Sequence, residues 1–284
     1  MSMSSIALTD LKKTQIVPRR RWGSWFFSAA VLMFLVLLLF AGIRAKILNV
    51  NIFLKYLTDG EILLGARNGL FLGTLALLLA FGVGLITALM RVSANLILSS
   101  LSSIYVYFFR GVPMLIQILF WYNAFPTMFP RLTLGMPFTD TVLIDMPMTT
   151  VVTAFLGALM GLGLAEGAYM SEIIRTGILA VDAGQRAAAR AIGMTQMQVM
   201  RRIVLPQAGR IIVPAAGNQY ISLLKSTSLA SVIGYLELLR ITQGIYSVNF
   251  YVVELLAVAA FWYLVMTAIA TAIQYTFEKL FPVR

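Results

Sequence analysis

The run Asn68–Met90, NGLFLGTLALLLAFGVGLITALM, contains no charged residue and is closed by Arg91. A bilayer core is crossed by roughly 20 apolar residues in an α-helix, so this run predicts a transmembrane helix. The whole chain of 284 residues is 60% hydrophobic and 12% charged, whereas a soluble domain has about 45–50% apolar and about 25% charged residues. The sequence therefore predicts an integral membrane protein.

Further apolar stretches lie on both sides of this run, and together they predict an all-α membrane protein with about six transmembrane helices. The other five are Trp22–Ile43; Leu96–Phe109 continued by Met114–Phe125 after a break at Arg110–Pro113; Met148–Ala165, continuing to Arg175; Ile211–Leu224 with Ser226–Leu236, interrupted by Lys225; and Leu255–Phe277. Arg131–Pro147, which contains two aspartates, is predicted to be an external loop.

Basic residues are concentrated in two places. Five precede the first apolar run and six lie around a later loop: Lys12, Lys13, Arg19, Arg20, Arg21, and Arg175, Arg186, Arg190, Arg201, Arg202, Arg210. Cytoplasmic segments of membrane proteins are enriched in Lys and Arg, so both clusters predict a cytoplasmic position. The tail 1–21 and both termini are then cytoplasmic. We interpret 22–43 as an anchor rather than a cleaved signal peptide, because its apolar run is too long.

Several functional classes are disfavoured by what the sequence lacks. It has no Cys and no His, which removes thiol chemistry, the commonest acid–base group and the commonest metal ligand. We therefore expect no catalytic residue and no metal site. The Gly-x-x-x-x-Gly-Lys-[Ser/Thr] pattern that cradles nucleotide phosphates is also missing. The net charge of +11 is explained by the membrane charge pattern, without a nucleic-acid partner.

The most polar stretch after the tail is the loop 181–210, which contains Gly184–Gly193, GQRAAARAIG. Small residues and Arg favour a helix, and Gly193 is suited to the left-handed position that ends one. Thr195 with Gln198 fits a capping box for a second short helix, which we expect Pro206 to end. The residues alone leave two interpretations open: an amphipathic element on lipid headgroups, or a docking surface for a cytoplasmic partner.

The spacing Ala187-Ala188-Ala189, Gly193, Ile203-Val204-Leu205-Pro206 resembles the signature loop of permease subunits in binding-protein-dependent ABC importers of type I. That signature is Glu-Ala-Ala, three residues, Gly, nine residues, Ile-x-Leu-Pro, and Ala187 stands where the family has Glu. Three further stretches are similar to the polar amino acid branch, and the resemblance covers 64–284: Tyr107–Leu115 (YFFRGVPML), Ala168–Arg175 (AYMSEIIR) and Lys225–Leu229 (KSTSL).

The resemblance implies a five-helix permease core at 64–284, to which the helix 22–43 is an addition. It also implies ATP-driven import of polar amino acids, or closely related derivatives, by alternating access in the bacterial inner membrane. ATP and Mg²⁺ would be used by separate cytoplasmic ABC ATPase subunits, and this chain would bind no cofactor. Its other partners would be a second permease copy or paralogue and an extracytoplasmic solute-binding protein. The ATPase-coupling residues would be Gly184, Arg186, Ala187, Ala188, Ala189, Arg190, Gly193, Ile203, Leu205 and Pro206.

Polar residues within the predicted membrane segments are candidates for the substrate pathway, because such residues usually face a cavity or a partner. They are Glu166, Glu172, Asn218 and Lys225. Two alternatives stay open: Glu172 forms a structural pair with Arg175 three positions on, and Lys225 reaches toward the membrane surface. The intramembrane carboxylates also permit an ion-coupled secondary transporter, although the loop spacing does not predict one.

Overall fold

The computed structural model describes residues 26, 28–34, 36–37, 48–135 and 142–280. The chain divides into two units, Met1–Val50 and Asn51–Arg284. Residues 28–34 of the first unit are helical, and they lie inside the predicted crossing Trp22–Ile43. The remaining residues of that crossing, apart from 26 and 36–37, lie outside the described residues, as does the predicted tail 1–21.

The larger unit is helical apart from one antiparallel hairpin. In chain order its elements are α1 (Val50–Leu57), α2 (Gly60–Arg91), α3 (Leu96–Gly111), α4 (Met114–Leu119), a π-helical turn (Phe120–Ala124), α5 (Phe125–Met128), β1 (Arg131–Gly135), β2 (Val142–Pro147), α6 (Met148–Val151), α7 (Ala154–Leu179), α8 (Ala183–Ala191), α9 (Gln196–Val199), a second π-helical turn (Met200–Val204), α10 (Leu205–Ser226), a 3₁₀ helix (Thr227–Ile233), α11 (Leu238–Asn249) and α12 (Val252–Leu280).

The two long helices α2 and α7 pack against each other at the centre of this unit. Asp59 caps the start of α2 by accepting hydrogen bonds from the backbone N–H groups of Glu61 and Ile62. A Cβ atom placed on Gly84 of α2 would lie 2.8 Å from the Cβ of Met170 on α7. Such close approach of helix backbones through small residues is how helices associate in a membrane, where there is no hydrophobic driving force between them.

Three described helices are long and apolar enough to cross a membrane, namely α2, α7 and α12 up to Lys279. A fourth span is counted if α3 and the segment Met114–Met128, which meet at a bend of 103°, cross together. The predicted count of about six is therefore not reached among the described residues by length and composition. One predicted crossing lies mostly outside those residues, and the polar side chains of α10 keep it from qualifying.

The predicted break at Arg110–Pro113 is confirmed, since α3 ends at Gly111 and α4 begins at Met114. Pro113 has no backbone N–H and cannot continue a helical hydrogen-bond ladder. The Gln117 side-chain amide donates to the carbonyl oxygens of Phe109 and Val112, at 2.9 Å each. Those bonds give hydrogen-bond partners to backbone carbonyl groups at the bend. Such partners are needed within a membrane, because no water is available there to bond to the backbone.

Two expectations around α10 were wrong. Pro206 does not end the second short helix; it lies in the first turn of α10, directly after the π-helical turn Met200–Val204. Lys225 does not interrupt a crossing, because α10 continues through it to Ser226. Most of the predicted continuation Ser226–Leu236 is instead the 3₁₀ helix Thr227–Ile233, which is followed by Gly234, whose φ is +81°.

The predicted external loop Arg131–Pro147 contains the hairpin β1–β2, which sequence patterning did not predict. Arg131 donates from Nε and one terminal nitrogen to the two carboxylate oxygens of Asp145, at 2.8 Å each. The two residues lie diagonally across the strands, because Asp145 is directly opposite Thr133. This hydrogen-bonded pairing holds the pKa of Asp145 below its ordinary value.

Candidate functional site

The loop 181–210 forms the predicted pair of short helices. Asp182 caps α8 by accepting from the Gln185 N–H at 3.0 Å. Gly193 has φ +86°, which confirms the left-handed position after α8. The capping box is also confirmed: Thr195 accepts from the Gln198 N–H, while the Gln198 side chain accepts from the Thr195 N–H at 2.8 Å. Residues within the loop therefore determine the turn between α8 and α9.

The candidate coupling residues fall on two sides of this loop. Ala189 is buried and packs in a cluster with Val199 and Val204 of the same loop. That cluster continues into α7 through Ile174 and Ile178, and into α2 and α10. The other candidates are exposed or half-buried: Gly184, Arg186, Ala187, Ala188, Arg190, Gly193, Ile203, Leu205 and Pro206. One side of the loop thus joins the helical core, and the other is available to a partner.

Two apolar side chains at the tip of the loop were missed by sequence reasoning. Ile192, beside the left-handed Gly193, is 80% exposed, and Met197 is 66% exposed. Arg190 and Arg201, also exposed, lie nearby in sequence. An aliphatic residue placed between a helix end and its terminating glycine is the sequence signal that could have found Ile192. Two exposed apolar side chains among basic residues suit contact with another protein.

Glu166, the deepest of the predicted pathway residues, is 3% exposed. Its carboxylate accepts a hydrogen bond from the side-chain amide of Gln219. Glu166 belongs to α7 and Gln219 to α10, so the bond links two helices through residues that are 53 positions apart in the sequence. The Glu166 carboxylate is therefore buried and held by the Gln219 side chain.

Glu172 lies between two guanidinium groups. Arg175 donates to its carboxylate at 2.9 Å, which confirms the predicted structural pair. Arg91 at the end of α2 donates to the other carboxylate oxygen. No local sequence pattern predicted this second partner, because Arg91 is 81 residues away. Glu172 thus ties the end of α2 to the interior of α7.

Asn218 and Lys225 lie on one exposed face of α10. Ser222 falls between them, and the spacing of four and then three residues puts all three on the same side of a helix. In the part of the chain that the structure describes, Lys225 forms no ion pair. No hydrogen bond or ion pair there joins any two of the four pathway candidates, so they form no single cluster. Nor do the described residues hold a group of three acidic, His or Cys side chains that could bind a metal.

A membrane unit with a basic two-helix loop and an exposed polar face on α10 has the features of a solute transporter's membrane component. The chain belongs to the family "Binding-protein-dependent transport system inner membrane component", whose sequence profile matches residues 80–281. It is therefore a permease component of such a system.

Similar proteins carry related names. The arginine transport system permease protein ArgU of Corynebacterium glutamicum is 37% identical over 271 residues, which cover 95% of this chain and 84% of that protein. The glutamine transport system permease protein GlnP of Escherichia coli is 31% identical over 215 residues, or 76% of this chain and 90% of that protein. A chain in the crystal structure of an amino acid ABC transporter with histidines is 34% identical, with a TM-score of 0.66 over 77% of this chain and 93% of that one.

Proposed function

We propose that this chain is the permease subunit of an ATP-driven importer of polar amino acids or closely related derivatives. It works with separate cytoplasmic ABC ATPases, which use ATP and Mg²⁺, with a second permease copy or paralogue, and with an extracytoplasmic solute-binding protein. The observation that carries the proposal is the geometry of the loop 181–210, whose outer side is exposed while its inner side is packed into the helical core. An ion-coupled secondary transporter is not favoured, because the family is binding-protein-dependent.

The loop transmits motion through its buried side. Ala189, Val199 and Val204 pack in one cluster with residues of α2, α7 and α10. Close-packed interiors are stiff, so a displacement of the loop moves these helices rather than being absorbed locally. ATP closes the ATPases, the loop follows them, and the helices change between inward-facing and outward-facing arrangements. In this proposal the loop, the tail 1–21 and both termini are cytoplasmic, 64–284 is the permease domain and 22–43 is an added helix.

The substrate path follows the exposed face of α10. A lysine that meets lipid in a membrane span is costly unless it faces water or a partner, and Lys225 has no ion-pair partner among the described residues. With Asn218, it supplies a cation and an amide to the carboxylate of an amino acid. Glu166 acts on this face indirectly, by holding the Gln219 amide next to Asn218. Glu172 supports the path by tying the end of α2 to α7.

Two glycines provide a matched test of the coupling role. Gly193 and Gly234 both have left-handed φ values, +86° and +81°, and a Cβ atom on either would meet nothing within 4 Å. Gly193→Val and Gly234→Val therefore impose similar backbone strain, of about 1–3 kcal/mol. Gly193 is in the coupling loop, whereas Gly234 is not.

The measurement is binding of the partner ATPase, and ATP hydrolysis stimulated by the loaded binding protein, in the complex purified through a tag on this chain. We expect Gly193→Val to reduce both severalfold and Gly234→Val to leave ATPase binding at the wild-type level. Equal ATPase binding by the two variants would reject the coupling assignment.

A further inference from the structure

A cleft opens between the end of α2, the second half of α3 and the interior of α7, and it has a volume of about 430 Å³. Arg91 comes from α2, Ser103 and Arg110 from α3, and Tyr169 and Glu172 from α7. The cleft is separate from the exposed face of α10 and from the loop 181–210, since none of its lining residues belongs to either. Of its lining residues only Glu172 has a part in the proposed transport role, as a support that ties α2 to α7.

The charges around this cleft do not balance. Arg91 and Arg175 share the single carboxylate of Glu172. Arg110 is exposed, and its guanidinium carbon lies 5.1 Å from the ring centre of Tyr169. In the described part of the chain Arg110 has no carboxylate partner. Counting Arg175, which does not line the cleft itself, three guanidinium groups beside one carboxylate leave a net charge of +2 around it, and this charge favours an anionic ligand.

The approach to the cleft is apolar. Ile97, Leu101, Ile104 and Phe108 recur at helical spacing on α3, and they are 69%, 53%, 65% and 54% exposed. Tyr107, which lines the cleft and is 84% exposed, lies three residues after Ile104 and three before Arg110, so it connects this apolar face to the cleft. An anion that binds here can therefore extend along a hydrocarbon-compatible surface, which a free inorganic ion would not use.

We propose that this cleft binds the phosphate group of an anionic phospholipid, with the acyl chains lying along the exposed face of α3. Arginine binds phosphate through two parallel hydrogen bonds, and the contact of Arg110 with Tyr169 fixes the plane of its guanidinium group. Basic pockets between membrane helices are suited to anionic headgroups. Arg110 is the principal contact, because Arg91 is already engaged by Glu172.

The test is native mass spectrometry of the purified full chain with phosphatidylglycerol or phosphatidylcholine added in detergent. Arg110→Gln removes the unpaired guanidinium, and Arg240→Gln, at an exposed arginine on α11, is the matched control for the loss of one charge. We expect the wild-type chain and Arg240→Gln to prefer phosphatidylglycerol, and Arg110→Gln to bind it about tenfold more weakly. Arg110→Lys keeps the charge without the planar fork, and we expect it to bind at an intermediate level.

The remaining arms use the wild-type chain, so that they do not depend on how well a variant folds. Added salt should weaken phosphatidylglycerol binding, because the contact is ionic. Inorganic phosphate at the same ionic strength should compete no better than chloride. Equal binding of the two lipids by the wild-type chain would overturn the proposal. Full displacement by inorganic phosphate would overturn the assignment to a lipid.

Discussion

The contact of α2 with α7 makes a quantitative prediction at Gly84. A Cβ atom there would lie 2.8 Å from the Cβ of Met170, 2.9 Å from the backbone nitrogen of Ser171 and 3.0 Å from the carbonyl oxygen of Gly167. Two of these three neighbours are backbone atoms, which cannot rotate away. Gly84→Ala therefore has to push the helices apart, and overpacking of this kind destabilises by about 1–3 kcal/mol.

Gly82, two residues earlier on the same helix, is the matched control, because a Cβ atom there would meet nothing within 4 Å. Alanine at an open helical position is favoured over glycine by roughly 0.5–1 kcal/mol. The two substitutions should therefore change stability in opposite directions. Thermal unfolding of the purified chain, followed by the loss of helical circular dichroism, measures this. A lower midpoint for Gly84→Ala than for wild type, with Gly82→Ala at or above wild type, is expected. Equal midpoints for the two variants would refute the close packing of α2 on α7.

Three further predictions concern other regions. Glu166→Gln should leave the complex assembled but lower amino acid uptake in vesicles, because an amide cannot hold the Gln219 amide as a carboxylate does; unchanged uptake would remove Glu166 from the path. Asp145→Asn should speed amide hydrogen exchange in the hairpin near neutral pH. Arg131 lowers the pKa of Asp145, so the ion pair stabilises the hairpin fully above the ordinary pKa of an aspartate, and this stabilisation is lost as the pH falls through the lowered pKa. Wild type and variant should then exchange alike in acid. A difference in exchange that persists in acid would contradict the ion pair. Ile192→Ser should weaken ATPase binding without changing the unfolding midpoint, because Ile192 is 80% exposed; unaltered ATPase binding would exclude it from the interface.

The features that the sequence predicted correctly depend on local chemistry. Apolar run length located α2 and α12, and the proline after Arg110-Gly111-Val112 located the bend between α3 and α4. Gly193 and the Thr195–Gln198 box fixed the turn in the loop, because each is set by residues within one helical turn. The Glu172–Arg175 pair follows from helical spacing alone.

The features that the sequence did not predict depend on contacts between distant segments. Arg91 reaches Glu172 across 81 residues, and Gln219 reaches Glu166 across 53. No periodicity encodes such a contact. Pro206 was misplaced because proline suits both the residue after a helix and the first turn of the next one. The hairpin was missed because only β1, RLTLG, has the polar–apolar alternation that favours strands, whereas β2, VLIDMP, does not alternate.

Measuring which energy source drives uptake is the most direct test of the central claim, that this chain belongs to an ATP-driven importer. The complex is purified through a tag on this chain, reconstituted into liposomes with its solute-binding protein, and assayed for uptake of a radiolabelled polar amino acid. We predict uptake when ATP and Mg²⁺ are supplied on the side of the ATPases, without any ion gradient, and none when a hydrolysis-resistant ATP analogue replaces ATP. Uptake driven by an ion gradient in the absence of ATP would contradict the assignment and identify a secondary transporter.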